Sequence, residues 1–318
     1  MKIARLVHGN HSNNSVHLYD TICLIKNFFA LSGIKVVLSK HIVPNELNIL
    51  IENFCYNYIH GESFNNSLKY RDTDFIVIAT EFLTGETFND FSIENPKIAN
   101  DKGSYYYNKP YWKRRYNCFK HIINYSSLIL HLNESQAKIY QTHFPNNRIS
   151  FLPHIYFSSN DTYLESYQFP KDFDIFFSGN LTNYRSSILD ELENKNLKII
   201  TLPADTQPFL RNDIAKRARI AVNIKQHNFW EHYSDSRIAY HLTNGPYLVS
   251  QYCKNKSTIS NFIDISDKND FCDYILHVLL SNSLEENHKS KVEQFIHYSQ
   301  NDCRVSNLIN LLSSYEVH

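Results

Sequence analysis

Asp174-Ile175-Phe176-Phe177-Ser178-Gly179-Asn180-Leu181-Thr182-Asn183-Tyr184-Arg185 is answered further on by Ile220-Ala221-Val222-Asn223-Ile224, a loop from Lys225 to Asp235, and a helical segment carrying Arg237. Each passage opens on an apolar run of strand length without polar alternation, as in a strand buried on both faces of a parallel sheet. Each then turns polar and enters a helix with an arginine in its first turn. The second helix stops at Gly245, and Tyr247-Leu248-Val249-Ser250 reads as the next strand. An arginine in a first turn stands against the helix dipole, which favours anions there. A bound anion reverses that penalty, because helix N–H groups and a guanidinium can grip one phosphate. Arg237 alone is better explained by pairing with Asp235 or by snorkelling to solvent. Its repetition at Arg185 favours an anion site at the carboxyl edges of two parallel strands, where open α/β sheets bind their ligands.

Upstream the same alternation is legible. Ile3 to Val7 reads as a strand, a polar loop follows, and an amphipathic helix runs from about Val16 to Ser32 with Gly33 as its C′ residue. Ile34 to Leu38, Leu47 to Ile51, Phe75 to Thr80, Ser127 to Leu132 and Ile149 to Leu152 are strand-length apolar runs, and Asn133 can cap a helix from Glu134 to Phe144. Asn100 to Trp112 lacks periodicity and reads as a long exposed loop, with a helix resuming at Lys113. The expected division is a first Rossmann-like domain over residues 1–157 and a linker over 158–172. A second Rossmann-like domain covers 173–290, and a helical segment over 291–318 is expected to return to the first domain.

The composition excludes more than it selects. Thirty-two basic against 32 acidic residues argue against a general nucleic-acid binder. Six scattered cysteines without C-x-x-C spacing read as thiols of a reducing compartment. No apolar run approaches a membrane span, so a cytoplasmic protein is expected. The basic and aromatic stretch Tyr105 to Tyr116 leaves room for peripheral contact with the inner membrane surface. G-x-G-x-x-G, Walker A, H-E-x-x-H and G-x-S-x-G are all absent from the sequence.

Within the first half, His8 and His11 flank Gly9 after the first strand and could act as general bases; their spacing also invites a metal, but no third ligand is evident. Glu81 follows another strand and could supply a carboxylate. In the second half, Lys225, His227, Phe229, Trp230 and Glu231 form a loop of hydrogen-bonding and stacking groups of the kind that binds sugars and bases.

Taken together, Asp174 to Asn180, Arg185, Ala221 to Ile224, Ser236 to Gly245 and Tyr247 to Ser250 resemble the carboxyl-terminal domain of GT-B glycosyltransferases, in their group-1-like and CgeB-like branch. Ser127 to Gln136, Phe144-Pro145 and Leu152-Pro153-His154 are similar in layout to the end of a GT-B amino-terminal domain. The resemblance implies an α/β fold of two Rossmann-like domains facing a cleft. It implies that Gly179 and Asn180 approach a donor diphosphate, that Arg185 and Arg237 neutralise it, and that Ser236, Lys225, His227 and Glu231 face the donor.

The implied activity moves a sugar from a nucleotide-activated donor to a glycan, lipid-linked or protein acceptor, without a metal or other cofactor. Many retaining members carry a spaced pair of glutamates. Here Glu231 lacks its partner, Arg237 and Tyr240 stand nearby, and Gln251 replaces a common glutamate. The anomeric outcome stays open: inversion would draw its base from His11, His8 or Glu81. A non-catalytic sugar-nucleotide-binding subunit and a sugar-nucleotide epimerase of the same fold are the alternatives.

Overall fold

A computed structural model describes residues 2–7, 16–40, 42–51, 75–90, 109–157, 166–267 and 270–315. The chain forms two compact units, one of residues 1–15, 22–153 and 303–318, the other of residues 16–21 and 154–302. His8, His11 and the stretch 158–165 within the expected linker lie outside the described residues.

The first unit is a six-stranded sheet of β1 (Lys2–Val7), β2 (Ile34–Ser39), β3 (Leu47–Ile51), β4 (Phe75–Ala79), β7 (Ser126–His131) and β8 (Ile149–Phe151), in the order β2-β1-β3-β4-β7-β8. Every pairing in it is parallel. β3 and β4 lie in its middle and are buried at every position, which is why they read as unbroken apolar runs. β5 (Leu83–Thr84) and β6 (Thr87–Phe88) form a small antiparallel hairpin after β4. Helices α1 (Tyr19–Leu31), α2 (Lys109–Ile123), α3 (Glu134–His143) and, from the chain's end, α9 (Cys303–Ser313) complete the described part. Gly33 ends α1 with φ +75°, a conformation open to glycine at no steric cost. Asn133 caps α3, its side chain accepting the Gln136 N–H.

One expectation fails here. Trp112 is not in an exposed loop but in the first turn of α2, 1% exposed, packed with Tyr116 and Phe119 against Phe75, Val77 and Ile129. Proline at the second helical position hides the helix start, since it supplies no N–H yet fits a first turn.

The second unit is a five-stranded sheet of β9 (Phe173–Ser178), β10 (Ile199–Leu202), β11 (Ala218–Asn223), β12 (Tyr247–Ser250) and β13 (Asp264–Ile265), ordered β10-β9-β11-β12-β13. All four pairings are parallel. Its helices are α4 (Asn183–Asn194), α5 (Pro208–Lys216), α6 (Asp235–Asn244), α7 (Phe271–Leu280) and α8 (Leu284–Asn301). Alternate residues of the three central strands enter two cores. Phe176, Ala221 and Leu248 pack with Ile238 and Leu242 of α6 and Phe295 of α8. Ile175, Phe177, Ile220, Val222 and Val249 pack with Leu189 of α4 and Ile275 of α7. Both faces are thus covered by helices, the Rossmann-like arrangement expected of α/β units.

Candidate functional site

The strand order of the second unit locates a site before any side chain is considered. β9 is followed by β10 on one side, and the chain then returns to place β11 on the other. In an open parallel sheet, the crevice beyond the carboxyl ends of two such strands is where ligands bind. The segments leaving it here are Gly179 to Thr182, after β9, and Ile224 onward, after β11.

Gly179 has φ +142°, and its N–H donates to the Leu202 carbonyl at 3.0 Å. A Cβ built on it would lie 2.6 Å from Nη2 of Arg237. The guanidinium therefore occupies the space a side chain would need. It is fixed from two further directions: Nη1 donates to Oδ1 of Asn223 at 2.8 Å, and its carbon lies 5.5 Å from the Phe177 ring centroid. Arg237 sits at the third residue of α6, so its charge stands beside that helix's first-turn N–H groups.

Arg185, also the third residue of its helix, reaches the same ring, 5.4 Å from the centroid. The two arginines thus converge, as their repeated placement suggested. Their surroundings differ. Arg185 is 5% exposed; Nε and Nη2 donate to the Ile224 carbonyl at 3.1 and 3.0 Å, Nε also to Lys225, and Nη1 to the Asn180 carbonyl at 2.8 Å. It ties together the two loops that leave β9 and β11. Thr182, the N-cap of α4, reinforces the tie: its hydroxyl accepts the Arg185 N–H and donates to the Gln226 carbonyl at 2.7 Å.

Around this centre, Nζ of Lys225 lies 3.5 Å from the Glu231 carboxylate, whose other oxygen accepts the Lys254 N–H at 2.9 Å. Gln251 accepts the Lys225 N–H and donates to the Tyr184 hydroxyl. His227 is buried and stacks on Phe229, centroids 5.2 Å apart. Ser236 meets Nε2 of His154 at 3.1 Å, and burial lowers that histidine to about 4. One turn along α6 from Arg237, His241 is held well below its ordinary pKa by burial first, then by Arg237 and Arg211, so it stays neutral. Tyr240 of α6 is engaged on its own side: its hydroxyl donates to Oδ1 of Asn212 at 2.9 Å, and Arg211 lies over its ring at 4.0 Å.

Glu81 belongs to the first unit, just past β4, and its carboxylate is engaged on both oxygens. Its carboxylate meets the 2%-exposed Arg115 side chain at 2.7 Å and accepts from Asn89 at 2.6 Å. Its carbonyl accepts from Tyr140 and from His131, which burial lowers to about 4. Trp112 and Tyr111 flank the Arg115 guanidinium. Among the described residues no group of three or more His, Cys, Asp or Glu side chains is placed to hold a metal, and no helix is long and apolar enough to cross a membrane.

Asn223, Ser250, Phe177 and His154 were not singled out by the sequence as site residues. For the first two a signal existed, a polar residue closing an otherwise apolar strand that ends at the sheet's carboxyl edge.

No family profile matches the chain and no curated protein matches it. Solved structures do. An alpha-glucosyltransferase in complex with UDP and a 13-mer DNA containing a central A:G mismatch superposes with a TM-score of 0.58 at 8% identity, over 98% of this chain and 99% of that one. TarM superposes with a TM-score of 0.52 at 12% identity, over 85% of this chain and 55% of that one, so the chain spans about half the length of TarM. These likenesses show the fold, that of the GT-B glycosyltransferases.

Proposed function

We propose that this chain is a glycosyltransferase that moves a sugar from a nucleotide-activated donor to a glycan, lipid-linked glycan or protein acceptor, and that the second unit binds the donor. The observation that carries this reading is the seat of Arg237. A guanidinium held over Phe177, in the space left by Gly179 and beside a helix N-terminus, is a preorganised cation at the ligand edge of a parallel sheet.

In the proposed reaction the bond from the anomeric carbon to the terminal phosphate oxygen breaks, the acceptor oxygen bonds to that carbon in its place, and the hydroxyl proton passes to a base or to the departing phosphate. Negative charge develops on the departing diphosphate. Arg237 and the first-turn N–H groups of α4 and α6 stabilise it, so the reading requires no metal. Arg185 serves by holding the loops after β9 and β11, and Asn180 supports it through its carbonyl. Lys225 and Glu231, paired across the second loop, face the sugar, with His227 and Ser236 framing them. Of the residues proposed to activate the acceptor, His8 and His11 lie outside the described residues, and Glu81 is held by Arg115.

UDP, present in the alpha-glucosyltransferase of the same fold, makes UDP-sugars the first donors to test. Incubation with a panel of nucleotide sugars, with and without simple acceptors, is expected to release free nucleotide from one donor, faster with acceptor present. Binding of a donor without any release would favour the non-catalytic subunit, for which the missing glutamate partner of Glu231 argues. Conversion of the donor without acceptor would favour the epimerase. Absence of binding across the panel would contradict the donor site itself.

A further inference from the structure

Arg237 is aimed by a neutral side chain, and the wiring behind that side chain is complete. Asn223 closes β11 and Ser250 closes β12, and the register pairs them. Both are buried, 4% and 0% exposed. Nδ2 of Asn223 donates to Oγ of Ser250 at 2.9 Å, and Oγ donates onward to the Gln251 carbonyl at 3.0 Å. The Gln251 N–H returns to the Asn223 carbonyl at 3.1 Å. With the Ser250 proton used this way, its oxygen must accept from the amide. That fixes the amide's orientation and leaves Oδ1 as the group facing Nη1 of Arg237, 2.8 Å away. A flipped amide would set two donors against each other at the guanidinium. A buried relay of this kind is rigid because each member holds the next.

We infer that Asn223 is the positioning residue of the anion site: it orients the Arg237 guanidinium without cancelling its charge, and Ser250 fixes Asn223. The inference rests on the donor-site reading above and adds to it a requirement for a neutral acceptor at position 223. An aspartate there would keep the hydrogen bond but put a carboxylate 2.8 Å from the cation, in competition with the phosphate. An alanine would remove this hydrogen bond and leave the Phe177 ring and the Gly179 turn still beside the guanidinium.

The test measures UDP binding by calorimetry in wild type, Asn223→Asp, Asn223→Ala, Arg237→Ala and the Asn223→Ala/Arg237→Ala double variant. Thermal melting without ligand monitors the fold. The expected result is a loss of roughly tenfold or more in Asn223→Asp despite a folded protein, and a smaller loss in Asn223→Ala. That smaller loss should vanish when Arg237 is already absent, because the two side chains act as one unit. Ser250→Ala provides an independent arm, reaching Arg237 only through Asn223, and should weaken UDP binding in the same direction as Asn223→Ala. UDP binding unchanged in Asn223→Asp, or losses that simply add in the double variant, would overturn the inference while leaving the donor site standing. A wild-type protein that binds neither UDP nor any other nucleoside diphosphate would overturn both.

Discussion

Two arginines that look alike in sequence have opposite surroundings, and substitution should separate them. Arg185→Ala deletes the donors of three buried or half-buried carbonyls, at Asn180, Ile224 and Lys225. Leaving such groups unmet should lower stability by about 3 kcal/mol, seen as a reduced melting temperature before any ligand is added. Arg237→Ala loses the hydrogen bond to Oδ1 of Asn223, a contribution of about 1 kcal/mol to stability. Its effect should instead fall on nucleotide binding, weakened on the order of 30- to 150-fold. Gly179→Ala is the third member of the set. Its Cβ would meet the end of the Arg237 side chain rather than backbone and push the guanidinium off its seat, and φ +142° is itself strained for a residue with a Cβ. Melting temperature and nucleotide affinity should both drop; unchanged affinity in this variant would contradict the seat. The sequence disclosed both arginines, because first-turn placement is a matter of spacing. It could not disclose how differently they are bonded, which depends on carbonyls 39 and 40 residues away from Arg185.

At the scale of elements, the strands and helices that frame the site follow from local chemistry. β9 and β11 are apolar because both faces are covered, and their alternate residues separate cleanly into the two cores. Those patterns made Asp174 to Arg185 and Ile220 to Ser250 readable without a structure. β10 and α5 left weaker marks: β10 is an edge strand with partly exposed positions, and α5 has a single buried residue. The start of α2 was missed for the opposite reason, since a lysine, a proline and clustered aromatics mask a buried first turn. Arg115, from that helix, forms with Glu81 a nearly buried ion pair flanked by Trp112. Arg115→Ala should destabilise by about 3–5 kcal/mol, because it abandons a carboxylate in a dry environment. A denaturant midpoint equal to that of wild type would show that Glu81 finds water or another partner, and would return it to consideration as a base.

Across the whole molecule, what the sequence withheld was strand order. An apolar run says that a strand is central, not which neighbours it has, and only the order β10-β9-β11-β12-β13 places Gly179 and Ile224 at the two lips of one crevice. The acid response is also a property of the whole chain. Burial lowers His131 in the first unit to about 4, and in the second unit His154 to about 4 and His288 to about 3. Each is depressed on folding, so its contribution is complete above the ordinary value of 6.5. It is lost as pH falls from there to the folded value, where the unfolded chain binds the extra proton. At roughly 1.36 kcal/mol per unit, each such histidine is worth about 3–5 kcal/mol over its interval. Melting temperature should therefore fall steeply between pH 6.5 and 4 and be nearly flat from pH 7 to 8; a flat profile through the acid interval would contradict neutral burial. The account as a whole stands on the second unit binding a nucleotide diphosphate. A crystal structure of the protein soaked with UDP tests this most directly. The predicted result is a diphosphate between the Gly179–Asn180 turn and the guanidinium of Arg237, with Arg185 still bonded to its carbonyls; UDP bound elsewhere, with that crevice empty, would contradict it.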